Sequence, residues 1–151
     1  DAFGDYHIAC PTVLFVEYYG KLTKADRVFA YRLVQPPSIP VFLQCHGWMG
    51  VCHGDDVLYL FGIPIRLRGI VYTENDYKLA VDMVTAWARF AKTGSPTSPM
   101  SNGAGWVEAI DHTKPAASTV AYMSLNASKY EMVHGYYDHT CDKFWKAKMI
   151  G

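Results

Sequence analysis

The sequence predicts an α/β chain with an incomplete sheet and flanking helices, on three observations. Residues 27 to 34 are rich in β-branched and aromatic side chains and are closed by Pro36-Pro37, which reads as a strand. Residues 35 to 56 form a long Pro/Gly-rich connection whose reactive side chains crowd at its end, as functional loops often do. Residues 75 to 92 place Leu79, Met83, Val84, Trp87, Phe90 and Ala91 at helical spacing, and Thr93-Gly94 followed by Pro96 ends the pattern. Only two or three strands are readable. A doubly wound sheet needs more, so residues 1–151 read as a single, incomplete stretch from the end of a larger fold.

The remaining elements follow in order. Residues 8 to 20 hold Pro11 near the start, then Val13, Leu14, Phe15 and Val16, and stop at Gly20, which suits a short buried helix with Pro in its first turn. Residues 57 to 63 are apolar and ambiguous between helix and strand. Residues 95 to 105 are mostly Ser, Pro, Gly and Asn and read as an exposed loop. Residues 117 to 125 read as a strand, and residues 128 to 149 as a last helix with Trp145 near its end.

Composition excludes several functions. The 151 residues carry 14 Lys+Arg and 14 Asp+Glu with no basic run, which argues against nucleic acid as a partner, because phosphate binding needs clustered positive charge. No apolar stretch approaches the roughly 20 residues that span a bilayer. The first residue is Asp1, and no signal-peptide pattern is visible. Four cysteines, Cys10, Cys45, Cys52 and Cys141, make an even count that by itself does not separate disulfides from thiols or metal ligands. Asn126-Ala127-Ser128 is a sequon, which would accept a glycan only in a secreted chain.

The chemistry is densest in Cys45-His46-Gly47-Trp48-Met49-Gly50-Val51-Cys52-His53-Gly54-Asp55-Asp56. Cys45, His46, Cys52 and His53, with Asp55 and Asp56 beside them, offer soft and hard donors to a metal. Six residues separate the cysteines, more than the two to four usual in zinc sites, so the spacing argues against that use. His134 and His139 are five apart, which does not align two ligands on one helical face. No cofactor is implied.

Trp48-Met49-Gly50-Val51 followed by His53-Gly54-Asp55-Asp56 resembles the histidine loop of the cholinesterase and type-B carboxylesterase family. Phe61-Gly62-Ile63-Pro64, the Trp87-Ala88-Arg89-Phe90-Ala91-Lys92-Thr93-Gly94-Ser95-Pro96 stretch, Gly4-Asp5-Tyr6-His7-Ile8-Ala9-Cys10-Pro11, and Cys141 with Phe144-Trp145 are similar to further motifs of that family, in the same order. The resemblance implies the C-terminal part of an α/β-hydrolase fold. It implies that His53 is the general base of a Ser-His-acid triad acting on a small carboxylic ester, since an imidazole can take the serine proton and return it to the leaving alcohol. In that fold the order is Ser, then acid, then His, so the nucleophile and the acid would lie upstream. The chain has no G-x-S-x-G, and Asp55 and Asp56 are too close to His53 to be assumed triad acids. The upstream part of the same domain would be required for activity.

The resemblance further implies a disulfide between Cys10 and Cys141 and a secreted or extracellular protein, in which Asn126 would carry a glycan. Cys45 and Cys52 fall outside the family's general pattern, yet they lie seven positions apart in one loop and could pair. A non-catalytic adhesion protein similar to neuroligins is the alternative within the fold, because such proteins keep a similar histidine loop while lacking the nucleophile. Cholinesterases tend to place an aromatic residue just after the His-Gly of this loop. Asp55 stands there instead, which favours a general ester over a quaternary ammonium ester held by cation–π attraction.

Overall fold

Pro11 lacks an N–H and would meet the carbonyl four residues earlier, so a helix running through it needs a wider turn. In the computed structural model that turn is present, and the helix begins before residue 8. Ala2–Gly4 (α1) leads into a π-type segment, Asp5–Ala9, in which the Cys10 N–H reaches Asp5, and this opens into α2, Cys10–Leu22. The structure describes residues 2–23, 27–43, 45, 47–96, 105–113, 119–135 and 138–150. His46, part of the 95–105 loop and the start of the expected strand at 117 lie outside them.

The later elements are β1 (Tyr31–Leu33), α3 (Asp55–Leu60), α4 (Ile63–Arg66), α5 (Glu74–Thr93), β2 (Ala121–Leu125), β3 (Glu131–His134) and α6 (Lys146–Ile150). The apolar stretch at 57 to 63 is helical, broken by Gly62 at φ 68° between α3 and α4. The helix expected at 75 to 92 is α5, started by a capping box between Thr73 and Asp76 and ended by Gly94 at φ 70°. Its buried face is Leu79, Ala80, Met83 and Ala86, while Phe90 at the far end is exposed.

Two expectations are corrected. The strand at 27 to 34 shortens to β1, of which only Leu33 is buried; among the described strands it stands at one end of the order β1-β2-β3. The helix expected from 128 starts late. A turn closes from Lys129 N–H to Asn126 C=O, then β3 runs to His134, and a π-type helix spans Asp138–Trp145.

The described residues group into two compact units. The first takes residues 1–30, 107–122 and 133–151. It holds a cluster of Val16, Ala109, Ile110 and Val120, with Val13, Val28 and Ala30 against it, and a Cys10–Cys141 disulfide whose Cα atoms are 5.1 Å apart. Lys146 bridges Glu17 and Asp142 at 3.3 and 3.1 Å. The second takes residues 31–106 and 123–132. There β1 pairs in parallel with β2, Tyr31 opposite Met123 and Leu33 opposite Leu125, and the crossover between them carries the histidine loop and α3 to α5. Tyr31, Trp87 and Trp106 stack edge to face, with centroids 4.7 and 5.4 Å apart along the series. No helix among the described residues is long and apolar enough to cross a membrane.

Candidate functional site

Residues 35 to 54 hold little regular structure, a single 3-10 turn at Gly47–Met49 among those described. The loop pairs a few of its own backbone groups, the Cys45 N–H with the Phe42 C=O and the Gly50 N–H with the Gly47 C=O, and needs further partners. Two buried carboxylates anchor it, Asp76 through loop side chains and Asp55 through loop N–H groups. Asp76, at the start of α5, accepts from Ser38 Oγ at 2.5 Å, Tyr59 Oη at 2.8 Å, and Thr73 N–H and Oγ1 at 3.0 and 2.6 Å, with Gln35 Nε2 at 3.5 Å. Gln35 Oε1 in turn accepts the Ala127 N–H at 2.9 Å. Burial by itself would raise the Asp76 pKa, but the bonds from Ser38, Thr73 and Tyr59 outweigh it and hold the carboxyl below its ordinary value of 3.8.

Asp55 anchors the far end. It is fully buried, accepting the Val41 N–H on Oδ1 at 3.0 Å and the Cys52 N–H on Oδ2 at 2.8 Å. Between these points Cys45 and Cys52 form a disulfide with Cα atoms 6.3 Å apart. The next carboxylate, Asp56, accepts from the Tyr31 hydroxyl at 2.7 Å. Burial first, and then this bond, push the Tyr31 phenol upward, so it stays protonated as the donor.

His53 sits on the turn between Cys52 and Asp55 with an exposed side chain, and no described residue hydrogen-bonds its imidazole. The structure thus brings His53, Cys45, Cys52, Asp55 and Asp56 into one stretch, but among the described residues no carboxylate bonds the imidazole: the Asp55 oxygens are held by backbone N–H groups, and Asp56 is held by Tyr31. Cys45 Sγ, Cys52 Sγ and an Asp55 oxygen lie within 4.8 Å of one another. Joined as a disulfide, however, the two sulfurs are not the thiolates that zinc sites use, and the donor set considered from sequence loses its soft half. Asn126 is half-buried in the turn after β2, its Oδ1 accepting the Ser128 N–H at 2.9 Å.

Sequence reasoning missed the anchoring roles of Gln35, Ser38, Tyr59 and Asp76. The Thr73-x-x-Asp76 spacing is a capping-box signal that could have located Asp76, although nothing local announces that the same carboxylate reaches Ser38.

Residues 1–145 match the carboxylesterase family. The chain is 34% identical to an acetylcholinesterase of Bungarus fasciatus over 133 residues, which is 83% of this chain and 19% of that protein. It is 30% identical to an acetylcholinesterase of Gallus gallus over 145 residues, 96% of this chain and 17% of that protein. It is 28% identical to a cholinesterase of Mus musculus over 148 residues, 97% of this chain and 22% of that protein. The chain therefore spans about a fifth of the length of these relatives.

Proposed function

Since this chain belongs to the carboxylesterase family, we propose that it contributes the histidine-bearing loop of a secreted serine esterase that hydrolyses small carboxylic esters. The observation that carries this reading is His53 itself. It is exposed at the tip of a turn fixed from both sides, inside the stretch that the family match covers. His53 takes the proton of a serine hydroxyl as that oxygen attacks the ester carbonyl, then delivers it to the departing alcohol. A carboxylate on the other ring nitrogen sets the tautomer and stabilises the imidazolium. The serine, that carboxylate and the oxyanion donors come from the upstream part of the same domain. Leu43 and Trp48 on the histidine loop are 80% and 84% exposed, which supports a loop made to be covered by further protein.

His53→Ala in the complete protein tests the assignment. Turnover of p-nitrophenyl acetate should fall by about three or more orders of magnitude with the fold unchanged. Near wild-type turnover would remove His53 from the triad. A complete protein whose serines resist organophosphate labelling would instead be the non-catalytic adhesion form. Secretion is supported by the two disulfides, which persist outside the reducing cytosol. On expression through the secretory pathway, the peptide holding Asn126 should lose mass on glycosidase treatment. An unchanged mass, with Cys10 and Cys141 alkylated without reduction, would overturn the secreted assignment.

A further inference from the structure

The turn under His53 is closed more often than a turn requires. The Asp55 N–H donates to the Cys52 carbonyl at 3.2 Å, and Gly54, at φ 90° and ψ −5°, fills the third position of a type II turn. His53 occupies the second position, and no non-glycine residue described has positive φ, which excludes the mirror-image turn. The Asp55 side chain then reaches back to accept the Cys52 N–H at 2.8 Å, so residues 52 and 55 bond to each other twice, once in each direction, around the histidine. The other Asp55 oxygen takes the Val41 N–H at 3.0 Å from across the loop, and the Cys52 sulfur is tied to Cys45.

We infer that Asp55 is a positioning residue for the His53 imidazole, its buried carboxylate locking the turn that sets where the ring stands. The inference rests on the reading of His53 as the base. Bonds from N–H groups to an ionised carboxylate are short and strong, and a buried carboxylate deprived of them is costly, so the side chain has one stable arrangement. A base must stand within hydrogen-bond reach of the proton it removes, and a displacement of about 1 Å lowers rate about 100-fold. Gly54 reverses the chain so that neighbours two positions apart part ways, His53 to the surface and Asp55 inside.

The experiment compares Asp55→Asn and His53→Ala in the complete esterase with p-nitrophenyl acetate. Asn keeps the shape and one acceptor oxygen but turns an NH2 toward a backbone N–H. The expected result is a kcat lowered about 10- to 100-fold with KM within about 2-fold of wild type, and loss of amide-exchange protection in the peptide spanning residues 40 to 53. An Asp55→Asn kcat equal to wild type, with His53→Ala inactive, overturns the positioning role and leaves the base assignment standing. An active His53→Ala overturns the base assignment and the inference with it. Should Asp55→Asn fail to fold, Val41→Pro removes the backbone N–H that Asp55 Oδ1 accepts, at a surface-exposed residue whose φ it also fixes. It should lower kcat about 3- to 10-fold at unchanged KM, and a wild-type kcat would overturn the inference.

Discussion

Both compact units bury apolar side chains, but they secure their far-separated segments by different means. The first packs an apolar cluster, Val16, Ala109, Ile110 and Val120, and ties residues 131 positions apart with a disulfide. The second carries a long irregular loop and fixes it with the buried carboxylates of Asp55 and Asp76. Its own disulfide spans seven positions, and on the chain-entropy model so short a link contributes about 2 kcal/mol against about 4–5 kcal/mol for the long one. Helices can be held by apolar faces because their backbone is already paired. A loop that must present a reactive side chain cannot, so polar anchors with defined geometry replace area.

The largest expected effect breaks the first unit. Replacing Cys10 and Cys141 together by Ser in the complete protein should lower unfolding stability by about 4–5 kcal/mol, read as a fall in the denaturant midpoint at constant slope. A loss below about 1 kcal/mol would mean that the apolar cluster alone suffices, and the contrast between the units would weaken.

Asp76→Ala tests the second unit in the same way. It leaves the hydroxyls of Ser38, Tyr59 and Thr73 without their shared acceptor and should cost about 3 kcal/mol. The pH dependence has a definite sign. The folded-state pKa of Asp76 lies below its ordinary 3.8, so its contribution is complete above that value and is lost as pH falls through the folded one. Acid unfolding of wild type should therefore steepen below about pH 4, and Asp76→Ala should flatten that limb. Parallel acid limbs for the two proteins would show that Asp76 is not the group responsible.

What the sequence made legible follows the range of the forces involved. The amphipathic face of α5, its Gly94 stop and the loop bearing His53 are written in neighbouring residues and could be read directly. β3 could not, because four residues beside a helix-like tail become a strand only when β2 lies next to them. The same holds for Asp55 and Asp76. Each carboxylate in isolation looks like an exposed helix-start acid, and only the return of residues 38 and 41 through space makes it an anchor. The wide turn before α2 was hidden for the opposite reason: Pro11 reads as a helix start, although it is also tolerated inside a helix whose preceding turn is opened.

The smallest effect separates two glycines, one in each unit. Gly54 needs its positive φ, yet a Cβ there would meet nothing closer than the Phe42 ring at 3.7 Å, an ordinary contact. Gly54→Ala should therefore cost about 1–2 kcal/mol, all of it conformational. Asn tolerates the left-handed region better than Ala, so Gly54→Asn should recover part of that loss. Gly20 is the reverse case. It lies within α2, where Ala is the better helix former, but an added Cβ would stand 2.7 Å from Ile110 Cγ1. Its cost is steric, and Ile110→Ala, which removes that Cγ1, should relieve Gly20→Ala while leaving Gly54→Ala untouched. Thermal midpoints of the single and paired variants decide it. Equal values for Gly54→Ala and Gly54→Asn would show that the turn under His53 does not depend on a left-handed residue, and the geometry assigned to that turn would have to be abandoned.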